Sequence, residues 1–339
     1  MKNQRPTIDD VAREAGVSIA TVSRVLNQTA PVAQKTAERV FAAIKVLNYQ
    51  PQAAARTLAG SKTHTIGLLL PEIGGYFFFP MLLGIETGAQ ENGYNLLIHS
   101  ALTPPDTHHG MMPLSLGEHN TDGLIVFAHS LNAWELKRLH DLGLPVVLLH
   151  QSPPDGLQIP NITFENKMGA RKLVEHLIVE HGYRKIVYLA GPEDHEDSYW
   201  REMGYIEALH AYGIDYDPAL NLRGDFNPER AKQAVEQFLA QRVDIDAIFA
   251  ADDESASGAM MALRDAGLRV PEDVAVVGFD DTLLASHLTP PLTTVHAPIE
   301  QVGRQAVDQL VRLMHGEDAD AVTLLPTELV IRRSCGCNE

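Results

Sequence analysis

The sequence predicts a small all-α head followed by an α/β body that forms two doubly wound parallel-sheet lobes. Residues 1–63 carry 9 Lys+Arg and 4 Asp+Glu, a net charge of +5 (9 − 4), whereas the rest of the chain carries 18 and 40, a net charge of −22 (18 − 40). The head shows short helical patterns separated by glycine, and the body alternates apolar runs of strand length with helical patterns. A basic head favours contact with a polyanion, which the acidic body would repel.

The head, residues 1–48, has the pattern of a helix-turn-helix unit. Thr7 can cap a first helix and Ser18 a second, with Gly16 in the turn between them. A third helix is predicted at about 34–47. Three short helices around one core, the first two joined by a glycine turn, are typical of helix-turn-helix domains. The helices alone would equally fit a generic helical cap or a dimerisation module.

The second helix presents the candidates for reading DNA. In helix-turn-helix proteins the N-terminal residues of this helix enter the major groove, and here these are Ile19, Ala20, Thr21, Ser23 and Arg24. Arg24 can form a bidentate contact to guanine, whereas Ile19 and Ala20 offer only apolar contacts, for instance to thymine methyl groups. A phosphate contact or a surface salt bridge is the alternative for Arg24. The side chains suited to phosphate contacts that set the register are Thr7, Ser18, Ser23, Asn27 and Thr36.

Residues 49–63 form a linker of helical composition. Pro51 stands near its start, an alanine run follows, and Gly60 can end a helix. About two turns are too few for a stable isolated helix, because nucleation is costly. A helix that forms only with outside help, between two differently charged domains, predicts a switch.

The body, residues 64–339, alternates strands and helices about ten times. Continuous apolar strands between helices indicate parallel sheets that are covered on both faces. So many units exceed one compact sheet, and breaks near 150–163 and 289–293 favour two lobes. The predicted strands lie near 65–71, 95–99, 123–128, 146–149, 185–189, 247–251 and 274–279, and the predicted helices near 81–92, 132–142, 166–181, 199–212, 228–241 and 253–266.

The candidate ligand site follows from the predicted strand ends. Ligands of open α/β sheets bind beyond the carboxyl ends of the strands. This rule selects residues 74–79, His150, 192–201, 225–226, Asp252 and Asp280.

Several other functions lack the motifs they would need. The sequence has no nucleophile elbow, dinucleotide fingerprint or phosphate-binding loop, so we expect neither an enzyme nor a cofactor. The histidines show no metal-ligand spacing, and Cys335 and Cys337 alone cannot complete a four-ligand zinc site. We therefore predict no metal, with weak metal or redox behaviour of the two cysteines as the alternative. The first residues contain no apolar run, and no stretch reaches the roughly 18 apolar residues of a membrane span, which predicts a cytoplasmic protein.

The head carries a specific string of residues. Residues 8–18 read IDDVAREAGVS and residues 21–27 read TVSRVLN, and the string continues as LNYQP at 47–51 and LAG at 58–60. It closely resembles the head of the LacI/GalR (lactose-repressor/galactose-repressor) family of transcriptional regulators. Ala33 departs from the family pattern, which usually places a serine N-cap there, and losing a cap costs roughly 1 kcal/mol.

The resemblance implies roles within the head and the linker. It places the main specificity pair at Ile19 and Ala20. It also implies that the linkers of two subunits become helices only on a pseudo-palindromic operator and enter its minor groove. Ala55 and Leu58 would then contact DNA, with Leu58 wedged into a central base step. Packing of Leu58 against the body is the alternative.

The resemblance extends through the body. Residues 263–281 and 290–295 look like the family core, which implies the periplasmic-binding-protein type I fold with three crossovers. No leucine heptads occur near the C-terminus, so the resemblance implies a homodimer rather than a tetramer. The implied lobes cover about 64–162 with 296–322, and about 163–292 with 323–339.

The family's ligand positions fall on a carbohydrate-like set, in which aromatic rings would stack against C–H faces and charged groups would bracket hydroxyls. The matching residues are Phe77, Phe78, His150, His195, Asp197, Arg201, Phe226, Asp252 and Asp280. Arg201 and Asp280 could instead form a purely structural ion pair, and Phe78 could belong to the core. His150 and Asp252 depart from the residues common in sugar-binding members. His150 could make ligand binding pH-dependent or could be a neutral histidine at the cleft wall.

These features together predict a sequence-specific DNA-binding transcriptional regulator. The resemblance implies a repressor of carbohydrate-utilisation genes whose operator affinity is controlled by a small sugar-like effector. Its predicted partners are double-stranded operator DNA, a carbohydrate effector and a second copy of the chain, with no membrane. The alternative is a periplasmic-type sugar-binding protein for transport or chemosensing, which would need a signal peptide and no basic head.

Overall fold

A computed structural model describes residues 6–27, 30–49, 62–100, 116–117, 119–241 and 244–338. The chain divides between residues 63 and 64 into two compact units, the head and the body. The predicted linker helix, with Ala55 and Leu58, lies outside the described residues.

The head consists of three helices, α1 (Ile8–Ala15), α2 (Ile19–Asn27) and α3 (Gln34–Leu47). Thr7 caps α1 as predicted. The Asp10 amide donates a hydrogen bond to the Thr7 hydroxyl, and the Thr7 amide donates one to the Asp10 carboxylate at 2.9 Å. Ala33 precedes α3 without a side-chain hydrogen bond, so the first turn of α3 receives no side-chain acceptor at this position.

One small apolar core holds the head together. Val11, Val22 and Val40, one from each helix, are fully buried, as the helical spacing predicts. The sequence placed Tyr49 in the linker, but Tyr49 is buried in this core and its amide donates to the Ile44 carbonyl at 3.0 Å. The head therefore extends to residue 49, because its core needs the tyrosine ring.

The first lobe of the body is built on a six-stranded sheet. Its strands are β1 (Thr65–Leu70), β2 (Asn95–Ser100), β3 (Gly123–Phe127), β4 (Val146–Leu149), β5 (Asn161–Phe164) and β11 (Val322–Leu325). All neighbours are parallel, in the order β11-β5-β4-β3-β1-β2. The central strands β3 and β4 are buried throughout, whereas the edge strand β2 is largely exposed.

The second lobe is built on a four-stranded sheet. Its strands are β6 (Ile186–Ala190), β7 (Asn221–Arg223), β8 (Ala247–Ala250) and β9 (Ala275–Val277), all parallel, in the order β7-β6-β8-β9. The helices described in the body are α4 (Gly75–Glu91), α5 (Ala133–Asp141), α6 (Asn166–His181), α7 (Glu196–Ala211), α8 (Pro228–Leu239), α9 (Asp253–Asp265), α10 (Leu283–His287) and α11 (Ile299–Met314). The predicted fold class is confirmed: an all-α head and two parallel-sheet lobes.

The chain passes between the two lobes three times. It leaves the first sheet after β5, returns to the first lobe before α11, and leaves again after β11. The last two passages run side by side, because β10 (Thr294–His296) and β12 (Glu328–Val330) pair antiparallel. The first sheet includes β11 up to Leu325, which lies beyond the lobe boundary predicted near residue 322.

Several elements differ from their predicted bounds for local reasons. The helix α4 begins at Gly75 rather than near residue 81 and contains Pro80, a residue that is unfavourable inside a helix because it lacks an amide N–H. The sequence predicts a break at 150–163, yet the end of this region forms β5, a strand of four residues that is too short to show a period. The helix α7 begins at Glu196 rather than near residue 199. These earlier starts bring cleft residues onto the first turns of α4 and α7.

Candidate functional site

A cleft of about 580 Å³ lies at the carboxyl ends of the strands of both sheets. All nine residues that the sequence selected for a ligand line this cleft. Phe77 and Phe78 lie in the first turn of α4, His150 follows β4, and Asp197 and Arg201 lie in the first turns of α7. The fold therefore brings the whole predicted set together, and the role of each residue in binding stays a prediction.

Arg201 is held by contacts on all sides and is only 2% exposed. Its Nε donates to the Asn166 side-chain oxygen at 2.8 Å, one Nη to the Ala251 carbonyl, and the other Nη to the Asp280 carboxylate at 3.0 Å. The guanidinium carbon lies 3.9 Å from the centroid of the Phe279 ring. Three of the five N–H groups thus bind protein acceptors, which leaves two for a ligand. The ion pair with Asp280 exists, and both of its members still line the cleft.

His150 and Asp197 connect the two lobes. The His150 Nδ1 lies 2.9 Å from an Asp197 carboxylate oxygen, and the Asn166 amide donates to the same carboxylate at 2.7 Å. Burial raises the pKa of Asp197, but the neighbouring His150 and Arg201 outweigh burial and lower it overall. Because Nδ1 faces a carboxylate, it carries a proton in this geometry. The buried Nε2 of His150 has no hydrogen-bond partner among the described residues, so it is available to a ligand.

Carboxyl groups with raised pKa values surround the start of α9. Asp252 caps this helix and accepts a hydrogen bond from the Ser255 amide at 3.1 Å. Burial, and then the charge of Asp280, raise the pKa of Asp252 to about 6. Burial also raises the pKa of Asp280, against the opposing effect of Arg201. The fully buried Asp253 was not selected from the sequence, and burial together with Asp280 raises its pKa well above the ordinary value.

Aromatic rings line the cleft on both lobes. The rings of Phe77 and Phe78 contact the Phe127 ring at centroid distances of 6.1 and 5.2 Å. The sequence left Phe78 as either a cleft residue or a core residue. Its side chain both lines the cleft and packs against the core, so both alternatives hold. On the second lobe, a Cβ added at Gly191 would come within 2.3 Å of the Phe226 ring. Only glycine at position 191 leaves room for this ring.

His195 lies at the cleft in an uncharged form at neutral pH. Its ring stacks on that of His129 at a centroid distance of 4.3 Å. Burial, and then the proximity of His129, lower the pKa of His195 to about 4. A neutral imidazole offers one donor and one acceptor, which suits a ligand hydroxyl.

Sequence reasoning missed several residues that line the cleft, among them Phe127, Arg230 and Glu254. Phe127 ends β3, so the strand-end rule could have found it. The Glu254 carboxylate accepts a hydrogen bond from the Tyr76 amide at 2.8 Å and so joins α9 to α4. No sequence signal identifies this contact, because it depends on how the two lobes meet.

The candidate DNA-reading residues occupy the exposed start of α2. Ile19 is 48% exposed, and Ser18, Ala20 and Arg24 are also exposed. The Ser18 and Thr21 hydroxyls lie 2.9 Å apart, and the Ser18 oxygen accepts a hydrogen bond from the Thr21 amide, which identifies Ser18 as the cap of α2.

Of the remaining candidates in the head, Ser23 and Thr36 are half-buried, and Thr7 is exposed with its hydroxyl in the capping box of α1. The side chain of Asn27 lies outside the described residues. DNA contact by all these residues stays a prediction.

The structure also assembles a group of ligand-type side chains that the sequence did not predict. His176, His181, Cys335 and Cys337 each place a potential metal-binding atom within 4.8 Å of the others. The prediction of no metal considered spacing along the sequence, which does not show that His176 and His181 lie beside the two cysteines. Among the described residues, no helix is long and apolar enough to span a membrane.

A helix-turn-helix head with an exposed second helix is joined in this chain to a two-lobed body with a ligand-sized cleft. This combination defines the class of ligand-responsive DNA-binding transcriptional regulators. Residues 7–52 match the family model described as bacterial regulatory proteins, lacI family, and residues 174–335 match a periplasmic binding protein-like domain.

Several relatives match this chain over nearly its whole length. The HTH-type transcriptional regulator CelR of Thermobifida fusca is 36% identical, over 98% of this chain and 99% of that protein. A solved structure of a CelR–cellobiose complex is 33% identical, with a TM-score of 0.70 over 97% of this chain and 100% of that one. The structure of the Lac repressor dimer bound to operator and the anti-inducer ONPF is 31% identical, with a TM-score of 0.82 over 98% of this chain and 99% of that one. The chain belongs to the LacI family of bacterial regulatory proteins.

Proposed function

We propose that this regulator is a repressor whose operator affinity is controlled by a small, neutral carbohydrate bound in the cleft. The observation that carries the proposal is the convergence of nine aromatic, acidic and basic side chains on one cleft of about 580 Å³. This volume is typical of small-molecule sites. A similar protein, CelR, has been solved with cellobiose.

The charges of the cleft favour a neutral, hydroxyl-rich ligand over an anion. Seven acidic side chains and two arginines line it. Both arginines are paired, Arg201 with Asp280 at 3.0 Å and Arg230 with Asp225 at 2.9 Å. Unpaired carboxylates would repel an anionic ligand but accept hydrogen bonds from hydroxyls. The rings of Phe77, Phe78 and Phe226 supply apolar faces for C–H groups.

Polar contacts between the two lobes give the ligand a way to act on them, and they include the following three. One is the His150–Asp197 contact at 2.9 Å. The second is the Ser152 amide, which donates to the Glu196 carboxylate at 2.8 Å, and the third is the Tyr76 amide bound to Glu254. A ligand that binds one lobe arrangement better shifts the population toward it. A typical coupling of about 1–3 kcal/mol corresponds to a roughly 5–150-fold change in operator affinity.

We propose that the linker transmits this change. The linker would form paired hinge helices only on DNA, with Ala55 and Leu58 in the minor groove. The heads would read the major groove through Ile19, Ala20 and Arg24. We infer that such a regulator acts in the cytoplasm, where the DNA is. We also infer that it catalyses no reaction on its ligand.

An exposed apolar surface on the first lobe supports a homodimer. Phe79 and Leu83 on α4 are 72% and 42% exposed, and Ile98 on the neighbouring edge strand β2 is 39% exposed. Large exposed apolar patches mark interaction surfaces. A second copy covering this face would place two heads on one pseudo-palindromic site.

The test is operator binding in the presence of sugars. A binding-site selection on the full-length protein should yield a pseudo-palindrome, and fluorescence anisotropy on that duplex should show an affinity change with one member of a panel of mono- and disaccharides. Gly191→Ala should abolish the sugar effect and keep DNA binding, because the added methyl group displaces Phe226. The matched control is Gly117→Ala, whose methyl group would lie 4.0 Å from its nearest neighbour among the described residues.

The outcomes separate the proposal from the alternatives. Failure to bind any duplex at low salt, together with sugar binding, would favour a transport or chemosensory protein. DNA binding that responds to an anionic metabolite and to no sugar would refute the neutral-carbohydrate assignment. A sugar consumed during incubation would refute the absence of turnover.

A further inference from the structure

Four soft or borderline metal ligands meet at one place in the second lobe. His176 and His181 lie near the end of α6, and Cys335 and Cys337 lie in the C-terminal segment after β12. One donor atom from each of these residues lies within 4.8 Å of the other three. The lining of the cleft includes none of the four, so the ligand site already described does not explain the cluster.

The C-terminal segment is shaped so that both cysteines face α6. Cys335 ends a 3-10 turn, and Gly336 follows with a φ of +107°, a left-handed conformation that favours glycine. A Cβ at Gly336 would lie 3.3 Å from the His181 ring and from the Tyr183 hydroxyl, so the backbone passes close to both. The Tyr183 hydroxyl donates to the Cys335 carbonyl at 3.2 Å and fixes the segment there.

The two separations measured from the Cys337 Sγ agree with those of a tetrahedral centre. The Cys337 Sγ lies 3.7 Å from the His176 Nε2 and 3.5 Å from the His181 Nε2. A tetrahedral zinc ion with Zn–S of about 2.3 Å and Zn–N of about 2.05 Å places its sulfur and nitrogen ligands about 3.6 Å apart. Both imidazoles therefore present the same nitrogen to the thiol at the separation that a shared ion requires.

We propose that His176, His181, Cys335 and Cys337 form a closed, structural zinc site that ties the C-terminal segment to α6. Two thiolates and two neutral imidazoles cancel the charge of Zn²⁺, which suits a cluster with one buried and three half-buried members. Four protein ligands leave no open position, so the ion stabilises and does not catalyse. The other end of α6 carries Asn166, which bonds to Arg201 in the cleft.

The competing explanation is a network of S–H···N hydrogen bonds without an ion. One thiol proton on Cys337 can bond to only one of the two Nε2 atoms that face it. A metal ion could instead bind elsewhere, at the group of His129, Asp194 and His195 beside the cleft. The experiment distinguishes all three.

The full-length protein is loaded with zinc sulfate, passed through gel filtration, and its zinc content is measured by plasma mass spectrometry. We expect about one tightly bound zinc ion per chain, as for a closed four-ligand site. Cys337→Ser and His181→Asn should each lose most of this zinc while they elute as folded protein. The controls His210→Gln, an exposed histidine on α7, and His129→Gln should keep it.

Cobalt replacement gives a second readout, an absorption spectrum that requires cysteine thiolates bound to the metal and not only a folded protein. Loading with Co²⁺ should produce thiolate-to-cobalt charge-transfer absorption and intense visible bands of a four-coordinate site, and Cys337→Ser should abolish the charge-transfer band. Removal of zinc by a chelator should lower the melting temperature of the wild type but not of Cys337→Ser.

Three results would overturn the proposal: wild-type protein without retained zinc, zinc retained by Cys337→Ser, or zinc lost in His129→Gln. None of these depends on DNA or sugar binding, so this inference and the proposed function fail separately.

Discussion

The start of α2 exposes Ile19, Ala20 and Arg24, whereas the cleft buries Asp197, Arg201 and Asp280 and pairs each of them with another protein side chain. The two regions differ in how far their candidate binding side chains take part in the fold when no DNA or ligand is bound. The head leaves its candidate reading side chains free of the core, so their chemistry can vary without loss of the fold. The cleft uses its candidate binding side chains as part of its own structure, so we expect a change there to alter stability and recognition together.

The largest expected effect is the loss of Arg201. Arg201→Ala leaves Asp280 as an unpaired buried carboxylate, which should cost about 3–5 kcal/mol of the free energy of unfolding. Urea denaturation followed by circular dichroism measures this. The matched control is Arg24→Ala on the exposed face of α2, which should stay within about 0.5 kcal/mol of the wild type and lose operator affinity. Equal stability losses in both variants would break the comparison between the two regions.

The next effect concerns Asp252 and depends on pH. The folded-state pKa of about 6 lies above the ordinary 3.8, so the folded chain holds this proton more tightly than the unfolded chain. The stability contributed by the proton is present below about pH 4 and is lost as the pH rises through 6. Asp252→Asn keeps a good N-cap and removes the charge, so it should raise stability at pH 7.5 by up to about 3 kcal/mol. Thermal melts at several pH values test this.

The gain from Asp252→Asn should disappear at low pH, where the wild-type carboxyl group is protonated. Asp308→Asn on α11, an exposed position, should show no such pH-dependent difference. A pH-independent gain would mean that the side-chain amide acts by packing rather than by removing a charge.

A smaller effect, confined to recognition, is expected at the start of α2. Ile19→Gln combined with Ala20→Asn should change the base preference of the selected operator, since each base contact contributes about 1–3 kcal/mol of discrimination. The melting temperature should not change. Val46→Gln on α3, 72% exposed, should leave the selected consensus as in the wild type. An unchanged consensus in the double variant would remove these residues from the reading surface.

The smallest effect tests the uncapped third helix. Ala33→Ser supplies the missing acceptor at the start of α3 and should stabilise the head by about 1 kcal/mol. Ala42→Ser, an exposed position inside the same helix, should instead destabilise it slightly, because serine has a lower helix propensity than alanine. Hydrogen exchange of the α3 amides measures both changes, which should have opposite signs.

The sequence predicted those parts of the molecule that local patterns determine. The N-cap Thr7 lies directly before its helix. The strand-end rule found Asp197 and Arg201 because the carboxyl ends of parallel strands lie at one edge of a sheet. Contacts between segments that are distant in the sequence produce no local pattern that could predict them. Glu254 reaches Tyr76 across 178 residues, and Cys337 meets His181 across 156. These distances depend on how whole lobes and helices pack, which no spacing in the sequence encodes.

The core of the head has a practical consequence for the design of biosensors. All the described residues of this core lie between Ile8 and Tyr49. A swap at the division between residues 63 and 64 would therefore leave both hydrophobic interiors intact. Hybrid regulators could pair this effector body with a foreign head, and so place an existing reporter gene under the control of a different metabolite.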